Sequence, residues 1–497
     1  MDNTTENPPK LKRQLGLIGL IATGVCSMMG ASINVVPFMI QRNVEGIGPY
    51  VLPAFLIAAI PALLAAIGYS TLSAAMPRAG GSYIYTSRGL HPYLGFISSF
   101  SQWFGLSIVI GVIAYIIVPF GRDVAIAMQW ADLAEWLEKG SVRVSIALLL
   151  IWIFVYINIL GTRIYQRTLI PMMIIMFLLG SIVIFAGYSF THEDFLGTLS
   201  PEALYDLRLD QPTPFDWTVF LSASALLFSS FIGFDSIAQA GGEAKNPTRT
   251  LPLAILCAIG IVGIFYFIFT AAVYHAVPWS YIAAEAQNKD ISAPGLLNAL
   301  LPQELSVAIL VGATIALIND LPAMLLSVSR LMFAWAKDGV FPKGISKIHH
   351  KFATPHIALI VSGVIASIGV IGSHFAGDFF LGIDIMVTSM MVNFLFICLT
   401  LVFIRNVNPK VISHTYLESN IRKVRIIGMA GVISLLFFLC IHTYKDLNNS
   451  VEAWYFHSTW VWLIVMSMGS MIYFLYKNRL VNMGIDFKDR IQQLPTE

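Results

Sequence analysis

The stretch Ser229–Pro247, SSFIGFDSIAQAGGEAKNP, decides how the rest of the chain is interpreted. It begins inside an apolar run, 217–234, that is typical of a membrane-spanning helix, yet it contains Gly233 and the carboxylate of Asp235. A carboxylate at membrane depth is costly unless it is paired, and glycine weakens a helix. The combination predicts an interrupted helix with a structural or functional reason for the interruption.

The composition assigns the chain to the membrane proteins. Of its 497 residues, 57% are hydrophobic and 12% are charged, which is far from the balance of a water-soluble domain. Because the apolar residues form long runs of helical length, the predicted fold class is an all-α polytopic membrane protein.

The sequence also excludes several classes of function. A net charge of +2, without a basic run that has interleaved aromatic residues, argues against a nucleic-acid partner. The four cysteines fall in apolar runs, so neither a disulfide framework nor a metal cluster is predicted. No phosphate loop, metal-ligand spacing or nucleophile–base arrangement stands out, so we expect no enzyme activity and no cofactor.

Twelve spans are predicted from apolar stretches of about 20 residues, the length that crosses a bilayer core of about 30 Å. The segments between spans 3 and 4 and between spans 5 and 6 are predicted to be loops with short surface helices. The predicted spans 1 to 12 are 15–41, 48–76, 93–121, 143–161, 168–188, 216–241, 250–276, 303–330, 356–377, 379–404, 425–444 and 454–476.

The charges of the loops predict the orientation. Most of the 30 Lys and Arg residues lie on the side of the membrane that holds the N-terminal tail, and many acidic residues, including those from Glu193 to Asp216, lie on the other side. Lys and Arg are retained on the cytoplasmic side. We therefore expect an integral protein of the cell membrane with both termini in the cytoplasm.

Spans 1 and 6 share the same irregularity. SMMGAS at Ser27–Ser32 and SFIGFDS at Ser230–Ser236 both place Ser-x-x-Gly near the middle of a span. Paired interruptions in corresponding halves predict the substrate site of a secondary transporter, because unwound backbone needs polar partners that lipid cannot offer. Close helix contacts through small residues are the structural alternative. A channel and a transporter-like sensor are the other functional hypotheses.

Four stretches carry a resemblance to a known family. In order along the chain, these are MMGASINVVPF (28–38), LSAAMPRAGGSYIYTSRGLHPYLGF (72–96), FIGFDSIAQAGGEAKNPTRTLPLAI (231–255) and SRLMFAWAKDGVFP (329–342), the last followed by TPHIAL (354–359). Through them the chain resembles the amino acid-polyamine-organocation (APC) family of permeases from residue 15 to about residue 478.

The resemblance implies secondary active transport of amino acids by alternating access, or transport or exchange of polyamines or other organic amines. It implies a small-molecule substrate and a coupling ion, H⁺ or Na⁺, and leaves the oligomeric state open. It also implies a five-plus-five inverted repeat. The expected organisation is a cytoplasmic tail 1–14, a first repeat 15–188, an extracellular loop 189–215, a second repeat 216–405, a cytoplasmic loop 406–424, spans 11 and 12 within 425–476, and a cytoplasmic tail 477–497.

The same resemblance assigns the substrate site to the two interruptions. Backbone N–H groups at the start of the second half of span 1 are expected to bind a substrate carboxylate, and carbonyls on both sides are expected to accept from its ammonium group. Phe231 and Phe234 either cover the substrate as a gate or pack in the bundle. The expected substrate-binding residues are Ser27, Met29, Gly30, Ala31, Ser32, Ser230, Phe231, Ile232, Gly233 and Phe234.

Three further residues are expected to act in gating or coupling. Asp235 either supports the bend or titrates as a gate, and Arg78 either latches the cytoplasmic face or anchors the topology. Asp320, near the middle of span 8, has three interpretations: it binds a cationic substrate, it carries a coupling proton, or it is a buried structural acid.

Two features depart from the family pattern. The first interruption usually reads Gly-x-Gly-Ile-Phe, whereas this chain has Ser32 and Asn34 at the second glycine and the phenylalanine. The added side chains predict a smaller or differently shaped ligand. Span 5 has no lysine, although some proton-coupled relatives use one there.

Overall fold

The computed structural model of the protein describes residues 10–201, 214–376, 379–413, 415–449 and 453–495. Parts of the predicted N-terminal tail and of the predicted loop 189–215 lie outside these ranges. Within them the chain is α-helical, and its only β-type pairings are two isolated bridges. This confirms the predicted all-α polytopic class.

The helices follow the predicted spans closely. Eleven helices in the described residues are long and apolar enough to cross a membrane, and a shorter apolar helix, Leu17–Met28, precedes them. The uninterrupted spans are Val51–Ala75 (span 2), Pro92–Ala127 (3), Gly140–Ile159 (4), Thr162–Ser189 (5), Pro247–Ala276 (7), Gln303–Asp338 (8), His356–Ala376 (9), Phe379–Val407 (10), Ile421–Asn448 (11) and Ser458–Asn482 (12).

Spans 1 and 6 are each divided into several pieces. Span 1 consists of Leu17–Met28, Ala31–Asn34 and Val36–Asn43. Span 6 consists of the α-helix Trp217–Leu227, the 3₁₀ turn Phe228–Phe231 and the short helix Asp235–Gln239, followed by the 3₁₀ turn Gly241–Glu243. Both predicted interruptions are therefore present in the backbone.

Short helices lie in the connections, as predicted for the segments between spans 3 and 4 and between spans 5 and 6. They include Gly81–Gly89, Ala131–Glu138, His192–Leu196, Trp279–Asn288, Ala293–Leu297, Pro409–Ile412, Tyr416–Ser419 and Phe487–Gln492. Span 6 begins after the N-cap residue Asp216, whose carboxylate accepts from the N–H groups of Val219 and Thr218. These hydrogen bonds hold the pKa of Asp216 below its ordinary value.

The long spans pack in pairs. Span 2 lies against span 7, span 3 against span 8, and span 4 against span 9, while span 10 packs on span 3 and span 8 on span 5. An inverted repeat pairs its helices in this way, although the repeat itself stays a prediction. Span 1 lies against spans 5, 7 and 8, and the second part of span 6 also contacts span 8. Both interruptions are thereby placed inside the bundle.

The bundle has two ends. The termini face is the end that carries residues 10–16, 76–91, 240–247, 339–355 and 483–495, and it is the face predicted to be cytoplasmic. The far face is the opposite end, with residues 44–50, 128–139, 190–201 and 277–302.

Candidate functional site

The first interruption begins where span 1 leaves the helix at Met29, which has φ −95° and ψ 44°. The Met29 N–H donates to the Val25 carbonyl at 2.9 Å, and the Tyr266 hydroxyl donates to the Met28 carbonyl. In this conformation the Met29 N–H completes the last turn of Leu17–Met28, and the predicted contact of Met29 with substrate stays a prediction.

The second half of span 1 restarts in two steps. The turn Ala31–Asn34 is followed by a non-helical residue, Val35, and then by the helix Val36–Asn43. The Asn34 amide donates to the Gly30 carbonyl at 3.4 Å, so the side chain that departs from the family pattern pairs with unwound backbone. The side chains of Ala31 and Ser32 lie outside the part of the chain that the structure describes.

The second interruption lies directly against the first. Gly233 has φ +137°, which L-residues with a side chain rarely adopt, and a Cβ built on it would lie 2.3 Å from the Ser27 carbonyl oxygen. The hydroxyls of Ser27 and Ser236 are 3.0 Å apart. Only glycine allows the two backbones to approach this closely, which explains Gly233 in the opening stretch.

Asp320 lies beside the first interruption. A Cβ built on Gly30 would be 1.6 Å from Asp320 Oδ2, so the carboxylate occupies the space that a side chain at position 30 would need. Asp320 is 2% exposed, and the neighbouring Asn319 amide contacts the Cys26 sulfur at 2.8 Å. Span 8 thus contributes a buried acid to the middle of the site.

Asp235 holds the bend of span 6. One of its carboxylate oxygens accepts from the Gly233 N–H at 3.1 Å, and the other accepts from the Gln102 amide. The side chain is fully buried. Of the two interpretations, support for the bend has direct contacts in this structure, and the gating role stays a prediction.

A chain of buried hydrogen bonds continues from Gln102. Its carbonyl oxygen accepts from Asn393 at 3.2 Å, Asn393 also donates to the Tyr69 hydroxyl at 2.6 Å, and that hydroxyl lies 2.7 Å from the Ser82 hydroxyl. Gln239 donates to Ser82 at 2.5 Å. Asn393 and Tyr69 were not predicted from the sequence, although a lone amide within an apolar span was a signal for Asn393.

Phe231 and Phe234 pack against other aromatic rings in this conformation. Phe231 lies 5.2 Å from Phe55 between ring centroids, and Phe234 lies 5.1 Å from Phe394. Each is at most 2% exposed. These contacts agree with packing in the bundle, and a covering role would require the rings to move.

Two buried ion pairs lie on the termini face. Arg330 donates to both carboxylate oxygens of Glu243 at 3.0 and 2.8 Å, and Arg88 pairs with Asp338 through two contacts of 2.5 and 2.9 Å. A backbone bridge joins Leu15 to Ala244 and another joins Ala79 to Ala240. Span 8 is thereby fixed to the segment after span 6 and to the helix Gly81–Gly89.

Arg78 lies on the same face. It donates to the Pro495 carbonyl at 3.0 Å through Nε and to the Pro77 carbonyl at 3.1 Å through Nη1. These contacts join the loop after span 2 to the C-terminal segment. The latch role of Arg78 stays a prediction.

The space at the first interruption is small in this conformation. A pocket lined by Met29, Ile33 and Asn34 has a volume of about 20 Å³, enough for one water molecule. Two larger cavities, of about 280 and 380 Å³, lie on the far face. A substrate larger than water therefore needs the surrounding helices to separate.

Two polar atoms near the interruptions have no hydrogen-bond partner among the described residues, the Ser229 hydroxyl and the Asn319 carboxamide oxygen. Buried polar atoms of this kind are usually paired with water or a ligand. Within the described ranges, no group of three or more His, Cys, Asp or Glu side chains could hold a metal ion. The arrangement is suited to binding a polar small molecule between the two broken spans.

Comparison with known proteins agrees with this geometry. The profile of the amino acid permease family matches residues 15–470. The branched-chain amino acid permease of Bacillus subtilis is 24% identical over 382 residues, which cover 73% of this chain and 76% of that protein. The vacuolar cationic amino acid transporter 4 of Arabidopsis thaliana is 27% identical over 372 residues, 73% of this chain and 59% of its own. The methylthioribose transporter of Bacillus subtilis is 23% identical over 489 residues, 95% of both chains.

Proposed function

Because this chain belongs to the amino acid permease family, we propose that it moves amino acids across the membrane by alternating access as a secondary active transporter. The chain is an integral membrane transporter of a small molecule, and it is not an enzyme. The proposal has four parts: the amino acid substrate, the alternating-access mechanism, the cytoplasmic position of both termini and the five-plus-five repeat.

The contact between the two interruptions carries the proposal. Gly233 lies against the Ser27 carbonyl in the middle of the bundle, where lipid offers no partner for unwound backbone. The N–H groups of Gly30, Ala31 and Ser32 are suited to a substrate carboxylate. The carbonyls of Ser27, Ser230, Phe231 and Ile232 are suited to its ammonium group.

The closed termini face supports alternating access. The Arg330–Glu243 pair joins span 8 to the end of span 6. Two cavities of about 280 and 380 Å³ lie on the far face, and a cavity of about 260 Å³ on the termini face is lined by the ends of spans 8 and 12 and by no residue of spans 1 and 6. In the proposed cycle, substrate arrives from the far face, the space between spans 1 and 6 closes over it, and the termini face then opens. The latch role proposed for Arg78 belongs to this last step.

Counterflow in proteoliposomes tests the proposed function. We expect saturable exchange of at least one amino acid when unlabelled substrate inside drives uptake of labelled substrate. The panel should contain leucine, arginine, putrescine and methylthioribose, because the relatives named above differ in substrate. Conductance without saturation would support a channel, and exchange of methylthioribose alone would refute the amino acid assignment. Gradients of H⁺ and Na⁺ imposed separately would identify the coupling ion.

Asp320 favours a second candidate, transport or exchange of an organic amine. Its carboxylate fills the space beside Gly30, where an ammonium group of the substrate could pair with it. If Asp320 recognises cationic substrates, we expect Asp320→Asn to abolish their exchange and to leave the exchange of other substrates intact. Retained exchange with lost pH-driven accumulation would instead assign it to proton coupling. Normal behaviour in both assays would leave it a structural acid.

A further inference from the structure

The cavity of about 280 Å³ on the far face, here called the vestibule, is lined by residues of span 1, span 3, span 4 and the loop after span 7. Val35 and Met39 form part of its wall, and they belong to the segment of span 1 that follows the first interruption. The vestibule therefore borders the second half of span 1, next to the proposed substrate site.

Five charged side chains line the vestibule, and four of them are paired with each other. Arg42 lies 2.9 Å from Asp290, and Arg122 lies 2.7 Å from Asp123. The fifth is Arg143, in the first turn of span 4. No carboxylate in the described parts of the chain lies within ion-pair distance of it.

The guanidinium of Arg143 is nevertheless held in one orientation. Its Nε donates to the Tyr115 carbonyl at 3.0 Å, and its Cζ lies over the Tyr115 ring, 3.8 Å from the centroid. Its two Nη groups make no hydrogen bond to any of the residues described. A guanidinium fixed through Nε and one face leaves the Nη fork for a planar anion, and a carboxylate matches this fork.

We propose that Arg143 is an outer binding site in the vestibule that receives the carboxylate of an amino acid substrate before it reaches the interruptions. This inference rests on the proposed function, because it assumes a substrate with a carboxylate. A lipid phosphate has the same chemistry of anionic oxygens, so the experiment must separate the two sources. The outer site binds the incoming substrate, and spans 1 and 6 carry out its translocation.

Initial rates of counterflow test this site, measured with the labelled amino acid that the wild type exchanges fastest. We expect Arg143→Gln to raise KM about fivefold to tenfold, the effect of losing one charged hydrogen-bonded contact that is partly hydrated, with kcat unchanged. Arg143→Lys should recover part of the loss, since it keeps the charge but not the fork. Arg122→Gln is the matched control: it removes a guanidinium from the same cavity, but one already paired with Asp123, and its KM should change less than about twofold.

Two further arms identify the ligand. The carboxamide form of the same amino acid lacks the carboxylate. Its inhibition constant against uptake should therefore be the same for the wild type and for Arg143→Gln. The ratio of the KM of Arg143→Gln to the KM of the wild type should be the same in liposomes of neutral phosphatidylcholine and in liposomes that contain anionic lipid.

The outcomes separate this inference from the proposed function. An unchanged KM in Arg143→Gln, or a change seen only with anionic lipid, would overturn the outer site and leave the transport function intact. Absence of counterflow with every amino acid would overturn both.

Discussion

Gly233→Ala is expected to reduce amino acid exchange roughly a hundredfold while the protein still reaches the membrane. Alanine at φ +137° carries strain of about 1–3 kcal/mol. Its Cβ would in addition lie 2.3 Å from the Ser27 carbonyl oxygen, an overlap that only separation of the two interruptions relieves. Initial counterflow rates, normalised to the amount of reconstituted protein, measure the effect, since tenfold in rate corresponds to about 1.4 kcal/mol.

Gly260→Ala is the matched control, because a Cβ at this position of span 7 would meet no atom within 4 Å. Both proteins should elute alike in gel filtration. Gly30→Ala is a milder companion, since its new Cβ would meet the Asp320 side chain, which can rotate, rather than backbone. Exchange by Gly233→Ala and Gly30→Ala at the rate of Gly260→Ala would refute the assignment of the interruptions as the substrate site.

The spans and their interruptions were predictable because they depend on local composition. Span 9 was predicted at 356–377 and is found at His356–Ala376. Hydropathy predicted the wrong helix end where that end is held by tertiary contacts. Span 8 was predicted to end at Arg330 and continues to Asp338. Both residues are buried in ion pairs. The end of an apolar run is not the end of a helix when the following polar residues have buried partners.

The partners of buried polar residues were not predictable from a single sequence. Arg88 pairs with Asp338, which is 250 positions away, and Gln102 receives a hydrogen bond from Asn393, which is 291 positions away. Nothing in the local pattern of either residue specifies which distant acid or amide it will meet. From the sequence, Gln102 is only a polar residue in an apolar span, and the fold is required to place it on Asp235.

Glu243→Gln is expected to open the termini face. Glu243 and Arg330 are each at most 1% exposed, and loss of the carboxylate would leave the guanidinium buried without its charge partner. Breaking a buried pair in this way destabilises the closed arrangement by about 3–5 kcal/mol. In an open arrangement water reaches Arg330, so removal of the Glu243 carboxylate destabilises the open arrangement less than the closed one. The substitution should therefore shift the population toward proteins open on this face.

Cys26 reports this shift directly. It is fully buried beside the first interruption, and a protein in which Cys257, Cys398 and Cys440 are replaced by alanine leaves it as the only thiol. In this background we expect Glu243→Gln to accelerate labelling of Cys26 by a water-soluble maleimide roughly tenfold or more, given that tenfold in population corresponds to about 1.4 kcal/mol.

Asp338→Asn provides the matched control for the loss of a buried pair. It breaks the Arg88 pair, which joins span 8 to the helix Gly81–Gly89, and that helix packs on span 3 as span 8 does. The Arg88–Asp338 pair lies within the group formed by span 3, span 8 and the helix Gly81–Gly89. The Arg330–Glu243 pair instead joins this group to the broken span 6. Asp338→Asn should lower the thermal unfolding midpoint without exposing Cys26.

The double variant Glu243→Gln with Arg330→Gln decides whether the unpaired charge is the cause. Because it removes both charges, it should label more slowly than Glu243→Gln alone. Together with the single variant Arg330→Gln it completes a double-mutant cycle, which measures the coupling between the two charges. Equal labelling of Cys26 in the parent protein, Glu243→Gln and Asp338→Asn would mean that the Arg330–Glu243 pair does not hold the termini face closed. Closure would then come from other contacts on this face, including the backbone bridges at Leu15 and Ala79, whose hydrogen bonds these substitutions leave unchanged.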